Sequence, residues 1–339
     1  MLCKEFCFAS YHTIRSFKSR THKPSHGEII HMDITFLGTG GAWGAPELNC
    51  DCLICREMRR QGEKRERTSL LLTNKTTLLI DCGPDARSQL SRHKVDNIDG
   101  VLITHEHSDH YIGLDELFAY KRNGPRGSFD PIPVYLTSKS HEVINKRFDY
   151  LEDMEVIRPC TIEPNRRFTV GEFEVLPFDT FHGPFAKGSV GFIIKFKDVS
   201  GKDVQVVYTS DFSEIPEPPP ELFNPDYLVI QAFWLNEPVN NRPNHMSFQR
   251  AIHFIELLKP GKETFLVHIG EADMVPGDPA NNILKKSEPK NPLRPPSGGD
   301  PYPIPLNQAQ WQKTVDRVIS DRNLPYKVTV AYDDLRIKI

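Results

Sequence analysis

Residues 104–110 read THEHSDH, directly behind the apolar run VLI at 101–103. Three imidazoles and a carboxylate crowd into six residues there: His105, His107, Asp109 and His110. A fold tolerates that crowding poorly unless a cation joins the groups, and neutral imidazole with carboxylate is the donor set that suits zinc, manganese or iron. In an extended turn His105 and His107 point the same way, while Asp109 and His110 begin a new direction. The spacing therefore predicts one pair for one ion and the other pair for a second ion a few ångströms away.

Two ions need more donors than these four. Three further candidates stand where an apolar strand-like run ends: His182 after FEVLPFDTF, Asp211 after VQVVYTS and His268 after ETFLV. In layered α/β folds such ends gather at one place, because a rigid sheet aims its loops at a common point. The expected sets are His105, His107 and His182 around one ion, and Asp109, His110 and His268 around the other, with Asp211 bridging. Asp81, ending the run TTLLI, is expected to orient a metal-bound histidine rather than to ligate. Nothing is assigned to the scattered His93, His141 and His253.

A second cluster, NCDCLIC at 49–55, holds Cys50, Cys52 and Cys55. No strand–motif–helix pattern makes the C-x-x-C a redox pair. Three thiolates in one loop lack one donor for a closed tetrahedral zinc site.

The elements needed to carry these groups are short β-rich runs interleaved with helical patterns at 114–122, 140–151, 247–259 and 307–322. Several runs are nearly all apolar, as in strands covered on both faces. A layered α/β arrangement, two sheets with helices outside, satisfies this pattern. Residues 272–306 break it, with nine prolines and three glycines, and read as an irregular excursion near the site. Residues 1–31 carry Lys4, Arg15, Lys18, Arg20 and Lys23 against Glu5 and Glu28. They read as a disordered or transit-like leader, placing the protein in the cytoplasm, or in an organelle if the leader directs it there.

The bulk numbers narrow the class. A chain of 339 residues with 38% hydrophobic and 26% charged content is globular in composition, and seven cysteines are too few for a disulfide scaffold. No run is long enough to span a membrane as a helix. A net charge of −3 without a basic arm argues against a nucleic-acid partner.

With these residues in view, the chain resembles the metallo-β-lactamase superfamily: HEHSDH is its signature, and Asp81, His182, Asp211 and His268 follow in the expected order. The resemblance covers about 33–272 and a last strand in KVTVAYDDLRIKI, and implies an α/β fold, an αββα sandwich of two mixed sheets with outer helices, over residues 32–339. Within the superfamily, FLGTGGAWGAPELNCDCLIC and NHMSFQRAI resemble the phosphoribosyl cyclic phosphodiesterase branch. That branch implies a binuclear zinc or manganese centre hydrolysing a small cyclic or diester phosphate. It also implies that His245 protonates the leaving oxygen, with Asp109 beside the attacking water. Its separate structural zinc site would use Cys50, Cys52 and Cys55, with Glu271 where the branch has a histidine. A homodimer is admitted as the assembly.

Competing readings are a tRNA 3′-processing nuclease, another metallo-hydrolase, and a non-catalytic metal carrier of cofactor biosynthesis. β-Lactam or thioester hydrolysis leaves His245 and the cysteines unexplained. A dioxygen-reducing di-iron site conflicts with His107, where those relatives carry a carboxylate.

Overall fold

Alternating side chains dictate how the strands are covered. In SLLLT, Leu70 and Leu72 fall on one face and Leu71 on the other; in YLVIQ, Tyr227 and Val229 oppose Leu228 and Ile230. All but Tyr227 are under 4% exposed, so each strand needs an apolar layer on both faces. The computed structural model, which describes residues 32–339 apart from 126 and 283, supplies those layers. The leader at 1–31 lies outside the described residues.

The first sheet contains β1 (Asp33–Gly38), β2 (Ser69–Thr73), β3 (Thr77–Ile80), β4 (Gly100–Leu102), β5 (Ile132–Thr137) and β6 (Ile157–Ile162). The second contains β7 (Phe168–Val170), β8 (Phe173–Asp179), β9 (Val190–Lys197), β10 (Asp203–Tyr208), β11 (Tyr227–Gln231), β12 (Glu263–Val267) and β13 (Val328–Val330). β14 (Leu335–Lys338) returns to the edge of the first, beside β1. Both sheets are mixed: β3 to β6 run parallel, as do β10 to β13, while the remaining neighbours pair antiparallel.

The sheets face each other across Ile34, Phe36, Leu72 and Ile80 on one side and Phe192, Val206, Val229 and Phe265 on the other. Seven α-helices, α1 (Leu53–Gln61), α2 (Ala86–Arg92), α3 (Ser108–Tyr111), α4 (Phe118–Asn123), α5 (Ser138–Asp153), α6 (Phe248–Leu258) and α7 (Gln308–Asp321), and two 3-10 turns at Ile112–Leu117 and Pro220–Leu222 complete the described architecture. α6 buries Phe248, Ala251, Ile252, Ile255 and Leu258, spaced at helical intervals, against the outer face of the second sheet. Its first turn is capped by the Ser247 hydroxyl, which accepts from Arg250 N at 3.2 Å. α2 and α5 cover the outer face of the first sheet through Leu90, Ile144, Phe148 and Leu151. The result is the αββα sandwich. No helix among the described residues is long and apolar enough to cross a membrane.

Several elements depart from the sequence reading: α1, α2 and α3 were not expected, and the run at 114–122 is a 3-10 turn (Ile112–Leu117) leading into α4. The C-terminal run splits at Tyr332–Asp334 into β13 and β14, one in each sheet. β6 went unrecognised because Pro159 sits inside it; as an edge strand it can spare that N–H. Residues 272–306 form neither helix nor strand among the described residues, yet they are pinned down. Asp273 accepts from Leu235 N at 3.0 Å, Asp278 from Leu53 N at 2.8 Å, and Tyr302 donates to Asp321 at 2.8 Å.

Candidate metal centre

Strand ends deliver the site. Asp81 follows β3, the 104–110 loop follows β4, His182 follows β8, Asp211 follows β10 and His268 follows β12. The backbone turns sharply at several of these exits: Asp81 at φ 60°, Ser210 at 62° and His268 at 56° all adopt the left-handed region, as does Asn244, next to His245, at 56°. Non-glycine residues rarely hold that conformation, and they do so where a site demands it. Gly41 in the neighbouring loop has no such choice. A Cβ there would lie 2.6 Å from the Phe233 ring and 3.5 Å from His268 Nε2, closing the approach to the site.

The two expected donor sets assemble from distant parts of the chain. His105, His107 and His182 bring their donor atoms within 4.8 Å of one another, and so do Asp109, His110, Asp211 and His268. Asp211 touches both: its Oδ2 lies 3.1 Å from His268 Nε2, 3.4 Å from His110 Nε2 and 3.8 Å from His182 Nε2. The site is deeply buried, and the Nε2 atoms of His105, His110 and His268 have no hydrogen-bond partner. Buried polar atoms without partners are costly, and several aimed at one point are what a cation would satisfy. The residues therefore fit a pair of divalent ions.

Electrostatics agree. Burial pushes His105, His182 and His268 below the ordinary histidine range, His182 down to about 4, so these rings are neutral donors. Burial would raise the carboxyl of Asp211, but His268 and His110 outweigh it and hold the group ionised; His110 does the same for Asp109. His110 is the exception. Burial disfavours its charge, yet Asp109, Asp81 and Asp211 together pull its affinity for a proton well up. The positive charge these carboxylates attract there is the charge an ion would supply.

Asp81 takes the orienting position. Its Oδ2 lies 2.7 Å from His110 Nδ1, while Oδ1 accepts from Thr104 N at 2.9 Å and Thr104 Oγ1 at 3.0 Å. His110 thereby turns Nε2 toward Asp109 and Asp211. Two partners were missed from sequence. Thr104 also reaches His105 Nδ1 at 3.0 Å, and Glu106 accepts from Ser140 Oγ at 2.9 Å and Gly188 N at 3.2 Å. Glu106 thus ties the histidine loop to the loop that follows His182. His245 stands at the rim of the second sheet's donors, its Nδ1 3.6 Å from Asp211 Oδ2 and 2.6 Å from Gln231 Nε2. Gln231 had a legible signal, a lone amide ending an apolar strand in the same context as the ligands.

The cysteine cluster also closes. Cys50, Cys52 and Cys55 bring their sulfurs within 4.8 Å of one another, and Cys52 caps α1, its sulfur accepting from Cys55 N at 3.5 Å. The C-x-x-C therefore opens a helix that the sequence reading did not contain. A hydrogen bond from Cys55 lowers the Cys52 thiol, while Cys52 and burial push the Cys55 thiol up. Glu271 stands outside the thiol group. Its carboxylate pairs with Lys285 at 2.9 Å, and Lys285 also contacts Glu47.

Comparison with known proteins places this geometry. The family described as the beta-lactamase superfamily domain matches residues 76–269, more than half of the chain. The chain belongs to that superfamily, in its metallo branch, with the sandwich fold and paired histidine–aspartate sets described above. An octanoyltransferase of Porphyromonas gingivalis is 31% identical over 189 residues, 51% of this chain and 37% of that protein. Zinc phosphodiesterase ELAC protein 1 of Homo sapiens is 33% identical over 110 residues, 31% of this chain and 26% of that protein. Its structure, human tRNase Z, short form, superposes with a TM-score of 0.55 at 18% identity over 90% of this chain and 98% of that one. A diphosphatase from the PhnP family superposes with a TM-score of 0.62 at 22% identity over 91% and 98% of the two chains. The matched stretches cover well under two thirds of these curated relatives' lengths. The expectation that nucleic acid is not a partner finds no support here, since one relative is a tRNase.

Proposed function

We propose that this protein is a metal-dependent phosphodiesterase acting on a small cyclic or diester phosphate. The observation that carries the reading is the shared carboxylate: Asp211 Oδ2 sits within 3.8 Å of imidazoles from both donor sets. His105, His107 and His182 would hold one divalent cation and Asp109, His110 and His268 the other, with Asp211 between them. Two such ions, when bound, polarise phosphoryl oxygens and acidify an attacking water. Asp109, held ionised, would accept a hydrogen bond from that water. His245 lies beside the shared carboxylate, 3.6 Å from Asp211 Oδ2, and would serve the leaving oxygen. Zinc or manganese suits the donor set equally.

The relatives support phosphodiester chemistry without choosing the substrate. The likeness to a zinc phosphodiesterase and to a PhnP-family fold favours it. The former also keeps a nucleic-acid phosphodiester as the second reading. A third, structural zinc would sit in the Cys50–Cys52–Cys55 claw, with Glu271 as fourth donor once it exchanges Lys285 for the ion.

The test is hydrolysis of bis(p-nitrophenyl) phosphate with zinc or manganese by the wild type and by His245→Ala. The expected result is turnover by the wild type and a loss of roughly 10²–10⁴-fold in the variant. No turnover with either metal would reject the enzyme in favour of a carrier. Full activity of His245→Ala would remove that residue from the chemistry and leave the metal centre standing.

A further inference from the structure

His245 is held on every side. Phe233 stacks on its ring at a centroid distance of 4.5 Å and 23° between planes. Asn241 clamps its backbone, Oδ1 accepting from His245 N at 3.1 Å and Nδ2 donating to His245 O at 2.7 Å. These contacts fix where the ring lies but leave open which nitrogen carries the hydrogen. That choice falls to Gln231, which is fully buried at the end of β11.

The orientation of the Gln231 amide is not free. Its Oε1 accepts from Phe212 N at 3.0 Å and from Met246 N at 2.9 Å. A flipped amide would press an NH₂ group against two backbone N–H groups, which cannot turn away. Nε2 must therefore be the atom 2.6 Å from His245 Nδ1, and it can only donate. A nitrogen that accepts this bond carries no hydrogen, so the neutral ring bears its hydrogen on Nε2. Asp211 Oδ2, at 3.6 Å from the same Nδ1, is too far to compete as an acceptor.

We propose that Gln231 is a positioning residue that locks His245 as its Nε2–H tautomer. The locked ring donates a hydrogen bond from Nε2–H to the substrate's leaving oxygen, stabilising its developing charge while keeping the proton, and cannot take a proton from water at Nε2. The lock also occupies the Nδ1 lone pair, so His245 stays out of the metal set despite its place beside His182 and Asp211. This rests on the proposed catalytic role of His245, from which it gains its consequence.

The test uses zinc-loaded full-length protein labelled with 15N-histidine, the His245 signals being those lost in His245→Ala. In the wild type, Nε2 is expected to be protonated and Nδ1 bare. Gln231→Glu keeps the acceptor for Phe212 and Met246 but turns an acceptor toward the ring, and should move the hydrogen to Nδ1. On bis(p-nitrophenyl) phosphate the same variant should lose about 100-fold in kcat, the scale of one preorganised hydrogen-bond donor to developing charge, with KM little changed. Gln231→Met, which removes the donor without adding charge, should show both tautomers and a smaller loss. Zinc content should be unchanged in His245→Ala. A protonated Nδ1 in the wild type, or an unaltered tautomer in Gln231→Glu, would overturn the proposal. Should His245→Ala be fully active, the catalytic reading fails and the spectra still decide the lock.

Discussion

Replacing Asp81 by asparagine tests how one buried carboxylate governs an ion it does not touch. Asp81 Oδ1 accepts from Thr104 N, a backbone donor that cannot reorient. In Asp81→Asn the amide oxygen must keep that place, which turns the NH₂ group toward His110 Nδ1, 2.7 Å away in the wild type. Two donors then face each other unless the imidazole shifts its hydrogen to Nε2. That shift removes the lone pair His110 presents beside Asp109, 3.2 Å away, and Asp211, 3.4 Å away. The second of the proposed ions would fall from four protein donors to three. Losing an orienting partner of this kind costs about 10–100-fold in metal affinity, or roughly 1.4–2.7 kcal/mol. An ion held by His105, His107 and His182, as proposed, would keep its donors. A chelator titration of zinc-loaded protein should show one release step weakened by that factor and another unmoved. Circular dichroism of the metal-free variant checks that the sandwich is intact. A chelator curve identical to wild type would refute the reasoning, as would loss of both ions together.

Removing two thiols with Cys52→Ser/Cys55→Ser should lower the zinc found by elemental analysis by one ion, from about three per chain, and leave the histidine-bound pair in place. Gly188→Ala should destabilise the fold by about 1–3 kcal/mol in urea titration, because an added Cβ would lie 2.3 Å from Ser140 Oγ and 2.4 Å from Thr137 Oγ1. Burial raises the carboxyl of Asp273 from 3.8 to about 7, so the folded state favours its neutral form. Its contribution to stability is complete below about pH 4 and lost as pH rises through about 7. The drop in melting temperature across that window should therefore be shallower in Asp273→Asn than in wild type, and equal slopes would contradict the assignment.

Much of this protein is local enough to be written in the chain. The period-two alternation of Leu70–Leu71–Leu72 commits that segment to a strand covered on both faces, whatever its neighbours. The ligand types and spacing of His105, His107, Asp109 and His110 commit the loop to a cation, since few other environments satisfy so many buried imidazoles. Ligand-capable side chains at the ends of apolar runs mark His182, Asp211 and His268 because a sheet collects its strand ends on one edge.

What could not be read depends on partners far away in sequence. α1 shows only Ile54, Cys55 and Met58 as buried residues among arginines, too weak a stripe to announce a helix without the segment that covers it. The excursion at 272–306 has no period of its own, and bonds to distant segments, among them Leu53, Leu235, Asn236 and Asp321, give it a place. Glu271 lies where a ligand was expected, but Lys285, fourteen residues on, holds its carboxylate. Which nitrogen of His245 bears the hydrogen is decided by Gln231, whose amide is aimed by Phe212 and Met246. Residue type and period are properties of a segment, so the sequence alone marks the apolar strands and the donor chemistry, though not β6 with Pro159 inside it. Hydrogen-bond direction and charge pairing are properties of two segments in contact, and only the folded chain decides them.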